Sequence, residues 1–290
     1  MESSKSGEED TTQKTRDIIQ KFNLENKLLP IESLPKSIAK DIKVVFTDID
    51  DTVSSDGKIL PCAYQALWDL HNSGIDVVPI TGRCGGWVDH IGRMWPVKGV
   101  IGENGAFYVY NDEKGRLKKR YYLREEERDI GKEKFKLIEK EVFEKFPSCK
   151  VATDQIYREF DLAIDFCEDV PRLSMEEVKQ IVQIYEKHGA VVKISSIHVN
   201  GWFGDYDKLA MANLFAKEIL GFDIQTNPHK CIFSGDSPND QPMFQFFHNS
   251  VGVNNLINFI SLIQHPPTYL THSPGGVGFA EFVNHFLKIK

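Results

Sequence analysis

Lys43-Val44-Val45-Phe46-Thr47 runs directly into Asp48-Ile49-Asp50-Asp51-Thr52. The first stretch is almost wholly β-branched or aromatic, the composition of a short strand buried on both faces. In an extended chain, residues two apart share a face, so Asp48 and Asp50 form a pair of carboxylates at the strand's carboxyl end. Open α/β sheets place their sites along that edge. Taken alone, the run also reads as an Asp-rich turn, because aspartate is a common turn former.

The elements around it decide the fold class. A helix is predicted from Pro61 to His71, with Ala63, Ala66, Leu67 and Leu70 on its inner side and Asn72-Ser73-Gly74 as its stop. Asp76–Ile80 and Gly99–Gly102 read as a second and third strand of the core. Leu209–Leu220 reads as a helix closed by Gly221. Lys230–Ser234, Ser250–Val253 and Thr268–Leu270 read as three more strands, with helical segments between and after them. Alternation of this kind implies a doubly wound, Rossmann-like α/β core around a mostly parallel sheet.

The middle of the chain has another rhythm. A charged helix is predicted over Glu125–Phe146, with Ile130, Phe135, Leu137, Ile138, Val142 and Phe143 on its buried side and Glu125-Glu126-Glu127 favouring its N-terminus. Val151–Thr153 and Leu162–Phe166 read as a strand pair. A second helix runs from Ser174 to Lys187, opened by the capping pattern Ser174-Met175-Glu176-Glu177, and Val191–Ser195 with Ile197–Asn200 makes another pair. Helix, strand, strand, repeated, is the order of a small α+β domain. The expected division is a tail and short helix over 1–40, a core formed by 41–122 and 202–290, and an inserted domain over 123–201. The short helix is placed at Thr15–Leu29.

Of 290 residues, 41% are hydrophobic and 27% charged, which excludes fibrous and wholly disordered chains. Lys and Arg number 35 against 42 Asp and Glu, a net charge of −7. That balance lacks the broad basic field of a non-specific nucleic-acid binder, and no apolar run reaches the roughly 20 residues of a membrane span. The polar beginning carries no secretory pattern, and five scattered cysteines without a CxxC pair suit reduced thiols. A cytoplasmic protein with a small-molecule partner, and neither nucleic acid nor membrane, is expected.

Chemistry gathers at the strand ends. The second strand ends in Pro79-Ile80-Thr81-Gly82-Arg83, which offers a hydroxyl and a glycine backbone donor. A later strand ends in Ser234-Gly235-Asp236-Ser237-Pro238-Asn239-Asp240, and Asp207-Lys208 precedes the helix leading to it. Carboxylates from two strand ends suit a hard, oxygen-seeking cation such as Mg²⁺, and a lysine and a threonine beside it suit a phosphoryl group.

These four clusters resemble, in order, the four motifs of the haloacid dehalogenase (HAD) superfamily, and the resemblance spans residues 41 to 290. The insertion between the second and third motifs resembles that superfamily's C2B cap, as in the Cof-like and sugar-phosphatase group, subfamily IIB. Asp51 is a departure, since many members have glycine there. The resemblance implies a Mg²⁺-dependent phosphatase acting on a small phosphorylated metabolite, a sugar phosphate above all. Asp48 would be the nucleophile that forms an aspartyl-phosphate, and Asp50 the proton donor and acceptor. Mg²⁺ would be held by Asp48, the Asp50 carbonyl and Asp236. Thr81, Gly82 and Lys208 would hold the phosphoryl oxygens, Asn239 would reach phosphate or substrate, and Asp240 would orient Lys208 rather than bind the metal.

Other residues read two ways. Arg83 suits a substrate contact or an ion pair, and Glu103-Asn104 likewise suits the site or packing. His198 and Asn200 suit a substrate contact, a hinge or packing, and Trp202 and Phe203 suit sugar stacking or packing. His188 and His229 read as solvent-facing. Two other functions fit the chain: a phosphosugar mutase, since Asn200-Gly201-Trp202 before Asp207-Lys208 resembles phosphomannomutases, and a non-catalytic binding module. Thr81-Gly82-Arg83 resembles the hydrolase form of its motif, and retention of both Asp48 and Lys208 argues against a degenerate module.

Overall fold

The computed structural model describes residues 28–194 and 197–290. The N-terminal tail, most of the helix expected over Thr15–Leu29, and Ser195 lie outside the described residues. Leu29, the last residue of that expected helix, is in a strand, Leu29–Pro30. The proline ring disfavours helical geometry in the residue before it, which pushes Leu29 to extended backbone.

Two compact units make up the chain. The first comprises the described residues up to Thr81, Met94–Val100 and Ala212–Lys290, and the second Gly82–Arg93 and Ile101–Met211. The first is built on six parallel strands in the order Leu29–Pro30, Tyr269–Leu270, Ser250–Gly252, Cys231–Gly235, Val44–Thr47, Asp76–Pro79. Val44–Thr47 is buried along its whole length. Its side chains alternate between two covered faces, as strand geometry requires. Val45, with Val77, Ile232 and Val251, joins a core completed by helices Pro61–Asn72 and Gly275–Ile289. Phe46 and Phe233 meet Phe247 at ring centroid distances of 5.7 and 6.5 Å. Burying each such side chain contributes roughly 1.5–3 kcal/mol. This is the doubly wound α/β core that the strand–helix alternation implies.

From Val44–Thr47 the chain goes next to Asp76–Pro79 on one side, and returns much later as Cys231–Gly235 on the other. The strand order therefore reverses at Val44–Thr47, and the carboxyl end of that strand opens onto the crevice where α/β sheets bind ligands.

Gly99–Gly102 is a strand, as expected, but not of this sheet. It belongs to a three-stranded sheet with Phe107–Asn111 and Leu117–Tyr121, the last two being an antiparallel hairpin in register Phe107↔Tyr121. A hairpin a few residues downstream is a cheap partner in loop-closure entropy. The Leu209–Leu220 helix is found as Lys208–Phe215, continued by a wider turn over Ala216–Leu220 and closed by Gly221 at φ 77°.

In the second unit, four antiparallel strands lie in the order Val191–Ile194, His198–Trp202, Asp161–Asp165, Lys150–Val151. Helices Glu125–Lys145 and Met175–Lys187 pack on them through Ile138, Val142, Val178, Ile181 and Tyr185. The Ser174 hydroxyl caps the second helix by accepting from the Glu177 amide at 3.3 Å, and the Glu177 carboxylate accepts from the Ser174 amide at 2.8 Å. Ile130 and Leu137 are 61% and 56% exposed, against expectation. The sheet covers the stripe carrying Ile138 and Val142, Phe135 and Phe143 are partly buried beside it, and Ile130 and Leu137 lie beyond its edge.

Candidate active site

Asp48 stands one residue beyond its strand, and the ladder continues to it: its amide donates to the Ser234 carbonyl at 2.9 Å. Asp236 stands one residue beyond the neighbouring strand, which pairs Ser234 with Thr47. Two adjacent strand ends thus bring two carboxylates together, and Asp240 adds a third. Asp48, Asp236 and Asp240 are all buried and present carboxylate oxygens within 4.8 Å of one another.

Each carboxylate is positioned by neighbours. The Thr52 hydroxyl donates to Asp236 Oδ1 at 3.2 Å, and Asn255 Nδ2 donates to Asp236 Oδ2 at 2.9 Å. The Asn255 amide nitrogen also reaches the Asp51 carbonyl at 3.0 Å. Asp240 Oδ2 accepts from the Asp236 amide at 3.1 Å, so it shapes the loop that carries Asp236. Burial first, then the charges of Asp240 and Asp48, push the Asp236 carboxyl up to about 9. Asp51 has φ 55°, the left-handed region that glycine enters freely and aspartate tolerates, which accounts for the acidic residue standing where glycine also fits.

Asp50 is half-buried in the turn after Asp48, and Thr81 is buried just past Asp76–Pro79. Asn239 is exposed, and its Oδ1 accepts from the Ser237 hydroxyl at 2.7 Å. All of these belong to the first unit. Gly82 and Lys208 belong to the second.

Lys208 opens helix Lys208–Phe215 and is 6% exposed. Asp207 caps that helix, its Oδ1 accepting from the Ala210 amide at 2.7 Å. The Glu103-Asn104-Gly105 turn sits against this helix start: Gly105 has φ 108°, and a Cβ there would lie 2.2 Å from the Asp207 carbonyl oxygen. Glu103 is buried and accepts from the amides of Gly85 at 3.1 Å, Glu159 at 2.9 Å and Phe160 at 2.7 Å. Burial and the nearby Asp161 push its carboxyl up to about 8. Of its two readings, Glu103 thus takes the structural one, tying the segment after Gly82 to the turn before strand Asp161–Asp165.

Arg158 makes the second tie. Its guanidinium is 4% exposed and bridges Asp154 and Asp161, each at 2.9 Å, and its Nη1 donates to the Gly82 carbonyl at 3.4 Å. Asn200 donates to the same Asp161 at 3.2 Å, and His198 Nε2 lies 3.0 Å from Glu168 Oε2. Both are buried within the second unit. Trp202 stacks on Tyr206 at 6.0 Å and Phe203 meets Phe135 at 5.2 Å, so packing accounts for these two aromatics. His188, expected to face solvent, is only partly buried and lies 2.9 Å from Glu141.

Sequence reasoning missed Asn255 and Arg158. The Asn254-Asn255 pair, one residue past strand Ser250–Gly252, is a usable signal for the first, since it too stands near a strand's carboxyl end. Nothing local marks Arg158, whose partners come from the fold.

No family model matches the chain, and no curated protein matches it. Its structure does match solved structures. One is a protein from Thermoplasma acidophilum, at TM-score 0.65 and 19% identity, covering 86% of this chain and 99% of that one. A phosphatase of the HAD superfamily from Bacteroides thetaiotaomicron matches at TM-score 0.58 and 19% identity, covering 86% and 96%. The sucrose-phosphatase of Synechocystis, solved with sucrose and phosphate, matches at TM-score 0.58 and 16% identity, covering 84% and 97%. This chain has the HAD fold.

On the HAD fold of this chain, the acidic trio occupies the carboxyl edge of two central strands, beside the reversal of strand order. The donor set is all carboxylate, buried and crowded enough to hold the Asp236 proton to about 9. Such a set fits a hard divalent cation, which relieves the repulsion that the proton otherwise relieves.

Proposed function

We propose that the protein is a Mg²⁺-dependent phosphomonoesterase of HAD subfamily IIB, acting on a small phosphorylated metabolite through an aspartyl-phosphate at Asp48. The observation that carries this reading is the buried trio of Asp48, Asp236 and Asp240 at adjacent strand ends. Asp48, Asp236 and the Asp50 carbonyl are the residues that would hold Mg²⁺, which when bound offsets the repulsion between a carboxylate and a phosphate dianion.

The chain's own groups then divide the work. An Asp48 carboxylate oxygen attacks phosphorus, forming an O–P bond as the bond to the leaving alcohol oxygen breaks. The Asp50 carboxyl gives its proton to that oxygen. As a carboxylate, Asp50 next takes a proton from a water molecule attacking the aspartyl-phosphate, which releases phosphate and restores Asp48. Thr81 and the Gly82 amide hold phosphoryl oxygens, Lys208 balances their charge and Asn239 reaches the phosphate or the substrate. Asp240 steadies the Asp236 loop and orients Lys208. Residues 123–201 act as the cap that meets the rest of the substrate.

A sugar phosphate is the favoured substrate class, supported by the likeness to a sucrose-phosphatase. Among the described residues no helix is long and apolar enough to cross a membrane. Assay of phosphate release from a panel of sugar phosphates, nucleotides and cofactor precursors with Mg²⁺ tests the reading. Release from at least one of them, lost with EDTA, is expected. Isomerised sugar phosphate without free phosphate would point to a mutase instead.

A further inference from the structure

The second unit gathers another set of metal-ligating side chains. Asp165, Glu168 and His198 present two carboxylates and an imidazole, with one ligand atom from each lying within 4.8 Å of the others. Two strands and a turn supply them. Asp165 ends strand Asp161–Asp165 and His198 begins strand His198–Trp202, and the antiparallel register sets the two directly opposite each other. Residues opposed in this way share a face of the sheet, so both side chains leave it on the same side. Glu168 comes from the turn that follows Asp165. Asp161, whose carboxylate holds Arg158, is at the other end of the same strand, about 14 Å away at roughly 3.4 Å per residue.

The donors are set in place. Asp165 Oδ1 accepts from the Cys167 and Glu168 amides and Oδ2 from the Asp169 amide, each at 2.8 Å, which fixes the carboxylate and folds the turn bearing Glu168 over it. Burial raises the Asp165 carboxyl, but these amides and His198 more than offset it and hold it below its ordinary value, in the ionised form a metal takes. Asp165 and His198 are buried, and His198 Nε2 stands 3.0 Å from Glu168 Oε2. The Glu168 side chain is 44% exposed, which leaves an ion a way in. Within the cluster two carboxylates face one imidazole, so its own charge stays negative whether or not the ring carries a proton. A dication bound to both carboxylates and a neutral ring balances that charge.

We propose that Asp165, Glu168 and His198 form a Zn²⁺ site, completed by water, that pins the turn after strand Asp161–Asp165 to the start of strand His198–Trp202. An imidazole nitrogen beside carboxylates suits Zn²⁺, whereas the all-oxygen set of Asp48, Asp236 and Asp240 suits Mg²⁺. Tetrahedral Zn²⁺ takes ligand atoms about 3.4 Å apart, a spacing the three donors reach by rotation of the exposed Glu168 side chain. The site is independent of the phosphatase reading, because it uses neither Asp48 nor phosphate.

The test is Zn²⁺ titration of the metal-stripped full chain in excess Mg²⁺, by calorimetry, with Zn X-ray absorption of the loaded protein. Wild type, Glu168→Gln, His198→Gln and Asp236→Asn are compared. The wild type is expected to bind Zn²⁺ through one imidazole nitrogen and oxygen atoms, and the nitrogen separates this site from the all-oxygen trio. Glu168→Gln is expected to weaken binding by at least about tenfold, His198→Gln to remove the nitrogen, and Asp236→Asn to leave both unchanged. Glu168 is exposed, so its variant keeps the test open if His198→Gln fails to fold. Zn²⁺ affinity of Glu168→Gln within twofold of wild type, or a Zn²⁺ shell without nitrogen, would overturn the site. Binding lost in Asp236→Asn but kept in Glu168→Gln would place the ion at the trio and overturn it as well. Phosphate release with Mg²⁺ reads the phosphatase function separately: its absence in the wild type would remove that reading and leave a demonstrated Zn²⁺ site standing.

Discussion

Thr52 holds Asp236: its hydroxyl donates to the carboxylate at 3.2 Å, joining segments 184 positions apart. The contact locks the turn after the first core strand to the loop after its neighbour, and it aims one oxygen of Asp236. Thr52→Val keeps the shape and removes the donor. Partners of this kind typically matter 10–100-fold in metal affinity, so the Mg²⁺ concentration for half-maximal activity is expected to rise by about that factor. Most of kcat should return at saturating Mg²⁺. Titration of activity against Mg²⁺ measures both.

Asp236 gives the candidate metal site a pH signature. Its carboxyl is held at about 9 in the folded protein against an ordinary 3.8. A raised folded value means tighter proton binding when folded, so this group's stabilising contribution is full below the unfolded value and is lost as pH rises toward 9. Mg²⁺ competes with that proton. Thermal melts with EDTA should therefore show stability falling across pH 6 to 9, with a Mg²⁺-induced increase in Tm that grows over the same range. Ca²⁺, with its larger and looser coordination, should restore little activity. A Mg²⁺ effect independent of pH would contradict the crowded trio.

Gly105 supports Lys208 from behind. A methyl group there meets the Asp207 carbonyl oxygen at 2.2 Å, and the backbone φ of 108° is one that alanine rarely adopts. Gly105→Ala is expected to displace the start of helix Lys208–Phe215 and to lower kcat by about 10²-fold, the scale of a charge-stabilising group moved out of place. Steady-state kinetics together with a melt separate this from global unfolding.

Glu103 contributes a second pH dependence. Its carboxyl is held up at about 8 against an ordinary 4.5, so its contribution to stability is also lost as pH rises through 8. Glu103→Gln cannot ionise, and it leaves one amide hydrogen without an oxygen, a cost of about 1–3 kcal/mol. The variant should be less stable at pH 5, and its stability should fall less steeply between pH 6 and 8, by up to about 1.4 kcal/mol per pH unit. Urea denaturation at several pH values reads this directly. Parallel curves for wild type and variant would show that Glu103 is ionised throughout.

Much of the candidate site's placement is legible because strand and acid adjoin in sequence. Val44–Thr47 with Asp48, and Cys231–Gly235 with Asp236, each show an apolar run ending in a carboxylate, and the parallel sheet sets those ends side by side. Gly99–Gly102 reads as a core strand from its own residues, and only its pairing with the hairpin Phe107–Asn111 and Leu117–Tyr121 places it in a separate sheet. Ile130 and Leu137 satisfy helical periodicity on Glu125–Lys145 yet face solvent, because period alone does not say how wide a stripe the partner covers. Asn255 and Arg158 act through residues far along the chain, Asp51 and Asp236 for one and Gly82 for the other. Contacts of that separation follow from topology, which local pattern does not encode.

Asp48 carries the central claim, and trapping its phosphoryl ester tests it most directly. Enzyme quenched in acid during turnover and then reduced with borohydride should yield homoserine at position 48, read by mass spectrometry of the digested chain, because borohydride reduces an acyl phosphate to the alcohol. Asp48→Asn should give no such product and lose at least about 10³-fold in kcat. It should melt no lower than wild type without Mg²⁺, since one charge crowding Asp236 is gone. Homoserine at Asp48 in the wild type alone is the predicted result. Undiminished turnover by Asp48→Asn, or a trapped ester on another residue, would contradict the account.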